Sequence, residues 1–491
     1  MTRAAPSALW MLAAGALAAL AQAPVSASGL YALGLLALLL FTLNRPTRAW
    51  RAGWLWGAGY FALTLHWIVE PFLVDIARHG WMAPFALILM AGGMALFPAT
   101  GLWLGARLSA GRGKLGRALG LAAGLAAMES TRAFILTGFP WADAAQALID
   151  TPMALLLPLG GPRLVTIILL LILAVIAGTT APRRASLLGA GFAALLWALP
   201  GLPLGPVSTD APMVRIIQPN APQDQKWDPA HIPTFFERQL SLTAQPPEAD
   251  LIVWPEMAVP WALESRDPVL ERISFAAKGT PVVLGLPRLE TPRYFNSLLV
   301  ISDGGVEAAR YDKRHLVPFG EYIPFGDLAG RFGLHGLAAR DGGGYSAGNG
   351  PLLVDLPGIG PARPLICYEG LFAEEVAPRG MARPRVLLLI TNDAWFGGFS
   401  GPYQHLDQDR LRAIEQGLPM VRVANTGVSA MIDAHGHVTG QLGLNVAGRL
   451  DLPLPAARPA PPYSRWGEIP ALIILIAVAG AAFSRRRSVL N

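Results

Sequence analysis

Eight apolar segments approach the roughly 20 residues needed to cross a bilayer, near 8–25, 28–44, 52–72, 82–106, 117–135, 164–180, 186–202 and 469–484. No other feature limits the fold of this chain so tightly. Hydrophobic residues make up 53% of the sequence and charged residues only 15%, with a mean hydropathy of +0.42, which excludes an ordinary soluble enzyme. The segments at 117–135 and 186–202 are interrupted by Gly, Glu129 and Pro, so buried core helices are their alternative reading.

Basic residues fall in alternate loops: Arg45, Arg48 and Arg51; Arg107, Arg112, Lys114 and Arg117; Arg183 and Arg184; Arg485, Arg486 and Arg487. The positive-inside rule places these loops in the cytoplasm, which also accounts for the net charge of +6 without a nucleic-acid partner. Glu70, Asp75, Asp143 and Asp150 fall in or beside the other loops. The expected organisation is a seven-helix region over 1–202, an extracytoplasmic (periplasmic) domain over 203–466, and an eighth helix with a basic tail over 467–491. The stretch "LWMLAAGALAALAQAPVSAS" also has the apolar core and small-residue end of a cleavable signal peptide, a reading that leaves the later topology unchanged. The Pro-rich run at 451–466 reads as a semi-rigid connector.

Residues 203–466 change character. Apolar strand candidates at 213–218, 250–254, 281–286, 296–302, 364–369, 385–391 and 419–424 alternate with helix candidates at 268–277, 371–378 and 404–417. Continuous apolar strands separated by helices predict sheets covered by helices, an α/β architecture. The chain has one cysteine, Cys367, so internal disulfides and metal sites built on several cysteines are impossible. No Gly-rich phosphate loop or dinucleotide motif is present, and no cofactor is expected. His66 and Glu70, four apart, make only two ligands, and Glu129 and Arg132, three apart, can pair on one helix face.

Three strand-end stretches carry chemistry-bearing residues: "LIVWPEMAVP" with Glu256, "ARYDKRHLVPFGEYIP" with Lys313 and Glu321, and "PLICYEGLF" with Cys367. Each has an ordinary reading: a solvated turn glutamate, a lysine that is rare only because the genome favours arginine codons, a core thiol. Together they suggest more. A thiol attacks as thiolate and needs a base or a nearby cation. Glu256 can take the proton; Lys313, with the backbone N–H after Cys367, can hold an oxyanion.

"WPE", "YDKRHLVPFGEYIP" and "ICYE", in that order, resemble the Glu-Lys-Cys triad of the nitrilase (carbon–nitrogen hydrolase) superfamily. Their embedding among membrane segments resembles its membrane-bound branch, the apolipoprotein N-acyltransferases; "TGFPW", "KWD", "TNDAWFG", "GPYQH" and "ANTG" extend the likeness over most of the chain. The resemblance implies an αββα sandwich on an eight-helix bundle in the bacterial inner membrane. It implies Glu256 as general base, Lys313 as transition-state stabiliser and Cys367 as nucleophile, supported by Glu321, Tyr368 and Glu369. It further implies Trp227, Asn296 and Trp395 as substrate-binding residues, a phospholipid donor, a diacylglyceryl apolipoprotein acceptor, no cofactor or metal, and a monomer. The Gly-rich stretch 325–350 reads as a lid, with Phe325, Leu328 and Phe332 facing lipid, or as an ordinary surface loop. The triad alone also fits a membrane-tethered amidase that uses water as acceptor. Because both lipids carry chains costing about 0.8 kcal/mol per CH₂ to expose to water, a site reached from the bilayer is expected.

Overall fold

A computed structural model describes residues 5–198, 211–262, 268–323, 344–350, 353–377 and 380–483. The chain forms two compact units, Met1–Pro203 with Pro461–Asn491, and Leu204–Ala460.

In the first unit a helix lies over each of the eight apolar segments: Ala5–Ala19, Ser28–Asn44, Ala49–Thr64, the run Ile76–Leu108, Lys114–Arg132, Leu157–Gly178, Pro182–Ala198 and Ile469–Phe483. Among the described residues, two stretches are long and apolar enough to cross a membrane, Ile76–Leu108 and Pro152–Gly178. The pair Ser28–Asn44 and Pro46–Thr64, bent by 119°, makes a third if it is one span. The expected eight spans thus reduce to two or three on length and composition. The physical reasons are local: Lys114–Arg132 carries Lys114, Arg117, Glu129 and Arg132, and Ile469–Phe483 has only 15 residues.

Small residues let these helices approach closely. A Cβ on Gly15 would stand 1.9 Å from the Trp56 carbonyl oxygen, and one on Gly124 would stand 2.1 Å from that of Gly101. Backbone-to-backbone packing of this kind is what helices use where lipid removes the hydrophobic drive between them. Arg132, 2% exposed, pairs with Glu129 at 2.7 Å, as their spacing predicts. It also donates to the carbonyls of Phe139 and Trp141 at 2.6 Å each, so one guanidinium holds the "TGFPW" loop.

The second unit holds two six-stranded sheets. The first runs β12-β1-β2-β3-β4-β5, with β1 Met213–Gln218, β2 Leu251–Val253, β3 Val282–Glu290, β4 Arg293–Ile301, β5 Glu307–Asp312 and β12 Gly448–Pro453. The other runs β11-β10-β9-β8-β7-β6, with β6 Val354–Leu356, β7 Gly360–Ile366, β8 Val386–Thr391, β9 Met420–Ala424, β10 Ser429–Ile432 and β11 Val438–Leu442. Read from β12 and from β6, both sheets follow one pairing sequence: antiparallel, parallel, parallel, antiparallel, antiparallel. The two halves are duplicates in topology.

Alternation along the strands builds four layers. Ile216, Val253 and Val283 of one sheet meet Leu388, Ile390 and Val423 of the other in a shared core. The opposite face of the first sheet, with Ile217, Ile252 and Leu284, packs on helices Ile232–Ala244 and Pro268–Ala276 through Phe236, Leu240 and Ile273. Leu387 and Leu389 of the second pack on helix Gly401–Gln416 through Leu406 and Ala413. Both faces of each central strand are therefore dry, which explains why "VLLLI" of β8 is apolar throughout; each buried Val, Leu or Ile contributes about 1.5–3 kcal/mol. This αββα sandwich is the expected architecture of the second unit. The sequence pattern missed helix Ile232–Ala244 and strands β5, β6, β10, β11 and β12.

Candidate active site

The central strands deliver the candidate residues at their ends. β2 stops at Val253, and Trp254, fully buried, anchors the turn by donating from Nε1 to the Thr243 hydroxyl at 2.9 Å. Glu256 follows, 6% exposed. Strand β3 can pass beside it because residue 285 is glycine: a Cβ there would sit 2.7 Å from Glu256 Cα. Lys313 follows β5, only 1% exposed, its backbone N–H donating to the Asn296 carbonyl at 2.8 Å. Cys367 follows β7 and opens a short 3₁₀ turn, Cys367–Leu371. Its φ of +52° is left-handed, a conformation that costs a non-glycine residue about 1–3 kcal/mol and is held here by the turn around it.

Lys313 is the hub. Its Nζ lies 2.9 Å from Glu321 Oε2, 3.0 Å from Glu321 Oε1 and 3.7 Å from Glu256 Oε1. Asn296 spans the two acids, donating from Nδ2 to Glu256 Oε1 at 2.6 Å and to Glu321 Oε1 at 3.0 Å. Glu321 Oε2 also accepts from the Val317 N–H at 2.8 Å. Two carboxylates, one ammonium and one amide thus form a closed set beside the thiol.

Burial sets the proton affinities. Desolvation pushes Glu256 above the usual carboxylate range, and Lys313 only partly offsets it. Burial alone would lower Lys313, but Glu321, Glu256 and Cys367 outweigh it and hold the ammonium well above its ordinary value. Desolvation, then Glu256, push the Cys367 thiol well up, while Lys313 and a hydrogen bond with Thr391 pull the other way. The resting group is a thiol beside a base of raised affinity and a lasting cation.

Tyr368 is 8% exposed, and its ring meets those of Phe372 and His315 edge-on, with centroids 5.0 and 5.4 Å away. Glu369 is taken up by other donors. It accepts from the N–H of Ile366 at 2.8 Å, the Tyr311 hydroxyl at 2.7 Å, and the N–H groups of Arg314 at 2.8 Å and His315 at 3.2 Å. Trp227 and Trp395 are half-buried, Trp227 in the loop after β1 and Trp395 in the turn after β8. Phe325, Leu328 and Phe332 lie outside the described residues.

Sequence reading missed the layer behind the thiol. Thr391 donates to Asp393 Oδ1 at 2.9 Å; Asp393 also pairs with His405 Nδ1 at 2.9 Å and Arg422 at 2.7 Å, and Arg422 reaches Asp409 at 2.9 Å. Asp393, His405, Asp409 and Arg422 are fully buried. Burial would raise Asp393, but Arg422 and His405 outweigh it and hold the carboxyl below its usual range. The available signal was Arg422 within the apolar run "MVRVA", since a charge in a buried strand requires partners.

The carbon–nitrogen hydrolase family model matches residues 213–452, and that of the apolipoprotein N-acyltransferase N-terminal domain matches residues 14–175. A curated apolipoprotein N-acyltransferase of Rhodopseudomonas palustris is 37% identical over 476 residues, covering 89% of this chain and 86% of that one. Another, of Sinorhizobium fredii, is 39% identical, covering 83% and 80%. The chain belongs to the apolipoprotein N-acyltransferase family. Both family matches fall on the units described above, the N-terminal one within the helical unit and the hydrolase one within the sandwich. Among solved structures, an amidase from Nesterenkonia sp. aligns at 19% identity over 51% of this chain and 93% of its own, with a TM-score of 0.35. In this apolipoprotein N-acyltransferase family member, Glu256, Lys313, Glu321 and Cys367 bring two carboxylates, an ammonium and a thiol together in one buried set.

Proposed function

We propose that this protein moves a fatty acyl chain from a phospholipid to the α-amine of the N-terminal S-diacylglyceryl-cysteine of apolipoproteins, by way of a thioester on Cys367. Glu256 takes the thiol proton as Sγ attacks the ester carbonyl of the donor. Lys313 and the N–H of Tyr368 hold the oxyanion. Collapse breaks the ester C–O bond; Glu256 returns its proton to the leaving alkoxide, and the lysophospholipid departs. In the second half the neutral α-amine of the acceptor attacks the thioester and Glu256 takes a proton from the nitrogen; the C–S bond then breaks as the amide forms, and Glu256 returns the proton to Sγ. The exchange is ping-pong.

Glu321 keeps Lys313 charged and in place. Trp227 and Trp395 flank the acyl chain. The protein works as a multi-pass enzyme of the inner membrane with its sandwich unit on the periplasmic side, a reading supported by the arginine-bearing loops at 45–51, 107–117 and 183–184. The observation that carries the proposal is the buried convergence of Glu256, Lys313 and Glu321 next to the only cysteine, in a chain of this family.

The test is intact-protein mass measurement after incubation with phospholipid, followed by addition of a diacylglyceryl peptide. The expected result is a hydroxylamine-sensitive acyl adduct, absent from Cys367→Ala, that passes to the peptide amine. Release of free fatty acid with no N-acylated peptide would favour the amidase-like alternative. Turnover without any adduct would exclude the covalent route.

A further inference from the structure

The loop after β1 contains a second buried ammonium. Lys226 is 5% exposed, and its Nζ donates to the backbone carbonyl of Glu256 at 3.0 Å. Its nitrogen also lies 5.9 Å from the centre of the neighbouring Trp227 ring. The rest of the loop is fastened to the other sheet. The Asn220 N–H donates to the Asn425 carbonyl at 3.0 Å, and Asn425 Nδ2 donates to the Ala221 carbonyl at 2.9 Å. Asn392, which follows β8, donates to Gln223 Oε1 at 2.8 Å. One short segment therefore runs from the strand ends of the cysteine-bearing sheet to the peptide of the candidate base on the opposite sheet.

We propose that Lys226 is a positioning residue for Glu256: its ammonium fixes the base against the cysteine-bearing sheet and adds a second positive charge to a buried site that holds two carboxylates.

Two physical points carry this. First, a buried ammonium is costly unless it serves a partner, and Lys226 uses its bond on a carbonyl that a neutral donor could have satisfied. Second, the charge count matters. Among the described residues the cations acting on Glu256 are Lys313 and Lys226, and the like charge of Glu321 raises the base's proton affinity. The groups acting on Glu256 are Lys313, Glu321, Asn296 and Lys226, with Cys367 and Tyr345 also responding to its charge. Lys226 lowers the proton affinity of Glu256, while burial brings its own pKa down to about 8. Its charge therefore fades through the mildly alkaline range, as the site's requirement for it is tested.

The inference rests on Glu256 serving as base to Cys367, so its test is chosen to survive failure of the lipid reading. Because Cys367 is the only cysteine, iodoacetamide alkylation of the full-length protein reports on this thiol alone. Alkylation and phospholipid acylation are followed against pH for the parent protein, Lys226→Arg, Lys226→Gln and Lys226→Met. Gln keeps a donor for the Glu256 carbonyl without the charge; Met keeps neither.

Both neutral variants are expected to move the acid limb of alkylation upward by about half to one pH unit, which slows the reaction on that limb by about three- to tenfold. Lys226→Arg is expected to restore the parent profile. Parent-like alkylation profiles in both neutral variants, even with lowered Tm, would overturn the proposal. Should Lys226→Met fail to fold, Lys226→Gln decides. A parent protein that alkylates normally but forms no acyl adduct counts against the acyl-transfer reading, not against the role of Lys226.

Discussion

Tyr311 and Glu369 are joined by a hydrogen bond of 2.7 Å that crosses between the two sheets, Tyr311 on β5 and Glu369 in the turn that follows β7. The same carboxylate collects N–H groups from both sides of the sandwich, from Ile366 just ahead of Cys367 and from Arg314 and His315 just past Lys313. All four partners are donors, so the group is needed as an ionised acceptor. The residues flanking Cys367 and Lys313 are thus held by one common carboxylate.

Replacing that acceptor is costly. Glu369→Gln turns an NH₂ group toward donors and removes charge-assisted bonds worth about 1.5–3 kcal/mol each. The expected result is a lower Tm and a fall of about 100-fold or more in Cys367 acylation, with Tyr311→Phe, which removes one such bond, losing about 1.5–3 kcal/mol of stability. Near-parent rates in Glu369→Gln would show that the two halves are positioned by something else.

Glu321 acts directly on the cation. With Glu321 present, Lys313 stays charged well above its ordinary range despite its burial. Glu321→Gln removes the foremost of the carboxylates that raise it, so the proton affinity of Lys313 must fall. In the proposed reaction Lys313 acts in its protonated form, so activity is expected to be lost as pH rises, with a basic limb at lower pH than in the parent protein. The rate at neutral pH should fall about 100-fold. A Glu321→Gln profile that stays flat on the alkaline side would separate Glu321 from the electrostatics of Lys313.

The legible and illegible parts of the sequence divide on physical lines. Strands β1, β2, β8 and β9 were readable because both faces are covered, which forces mostly apolar runs such as "VLLLI", with Arg215 of β1 and Arg422 of β9 as charges that find buried partners. β5, "EAARYD", and β11, "VTGQL", are edge strands with one side open, so their apolar content falls and the pattern fades. The duplicated topology left no trace as a repeat, because a pairing order constrains only which faces are apolar. Glu256, Lys313, Glu321 and Cys367 stood out by residue type at strand ends. The bridging role of Asn296 did not: an amide within a strand acquires meaning only once two acids from distant segments meet it. Sequence reading gave Asn296 a substrate contact; the structure adds that its amide nitrogen binds Glu256 and Glu321.

Behind the thiol, the buried pair of Asp393 and Arg422 makes a pH prediction with a definite sign. The folded carboxyl is held below its usual range, so its stabilising contribution is present above the unfolded carboxylate value of ~3.9 and is lost as pH falls through the folded value. Asp393→Asn leaves Arg422 under-compensated at a cost of about 3–5 kcal/mol. Tm measured from neutral to acid pH should therefore be lower throughout and flatter at the acid end in the variant. An unchanged Tm at neutral pH would mean that Asp409 alone suffices for Arg422.

Membrane topology can be read from introduced cysteines, because Cys367→Ala leaves a chain with no other thiol. Lys278 is exposed in the sandwich unit, and Thr47 and Gly113 are exposed in arginine-bearing loops of the helical unit. Gly113 tolerates a side chain, since its backbone is not left-handed and nothing lies within 4 Å of an added Cβ. With an impermeant maleimide on spheroplasts, Lys278→Cys is expected to react directly and Gly113→Cys only after lysis. Thr47→Cys decides the bent pair Ser28–Asn44 and Pro46–Thr64: two separate spans put it in the cytoplasm, reactive after lysis, whereas one broken span buries it in the bilayer, unreactive throughout. Direct labelling of Gly113→Cys on intact spheroplasts would invert the proposed orientation and with it the periplasmic placement of Cys367.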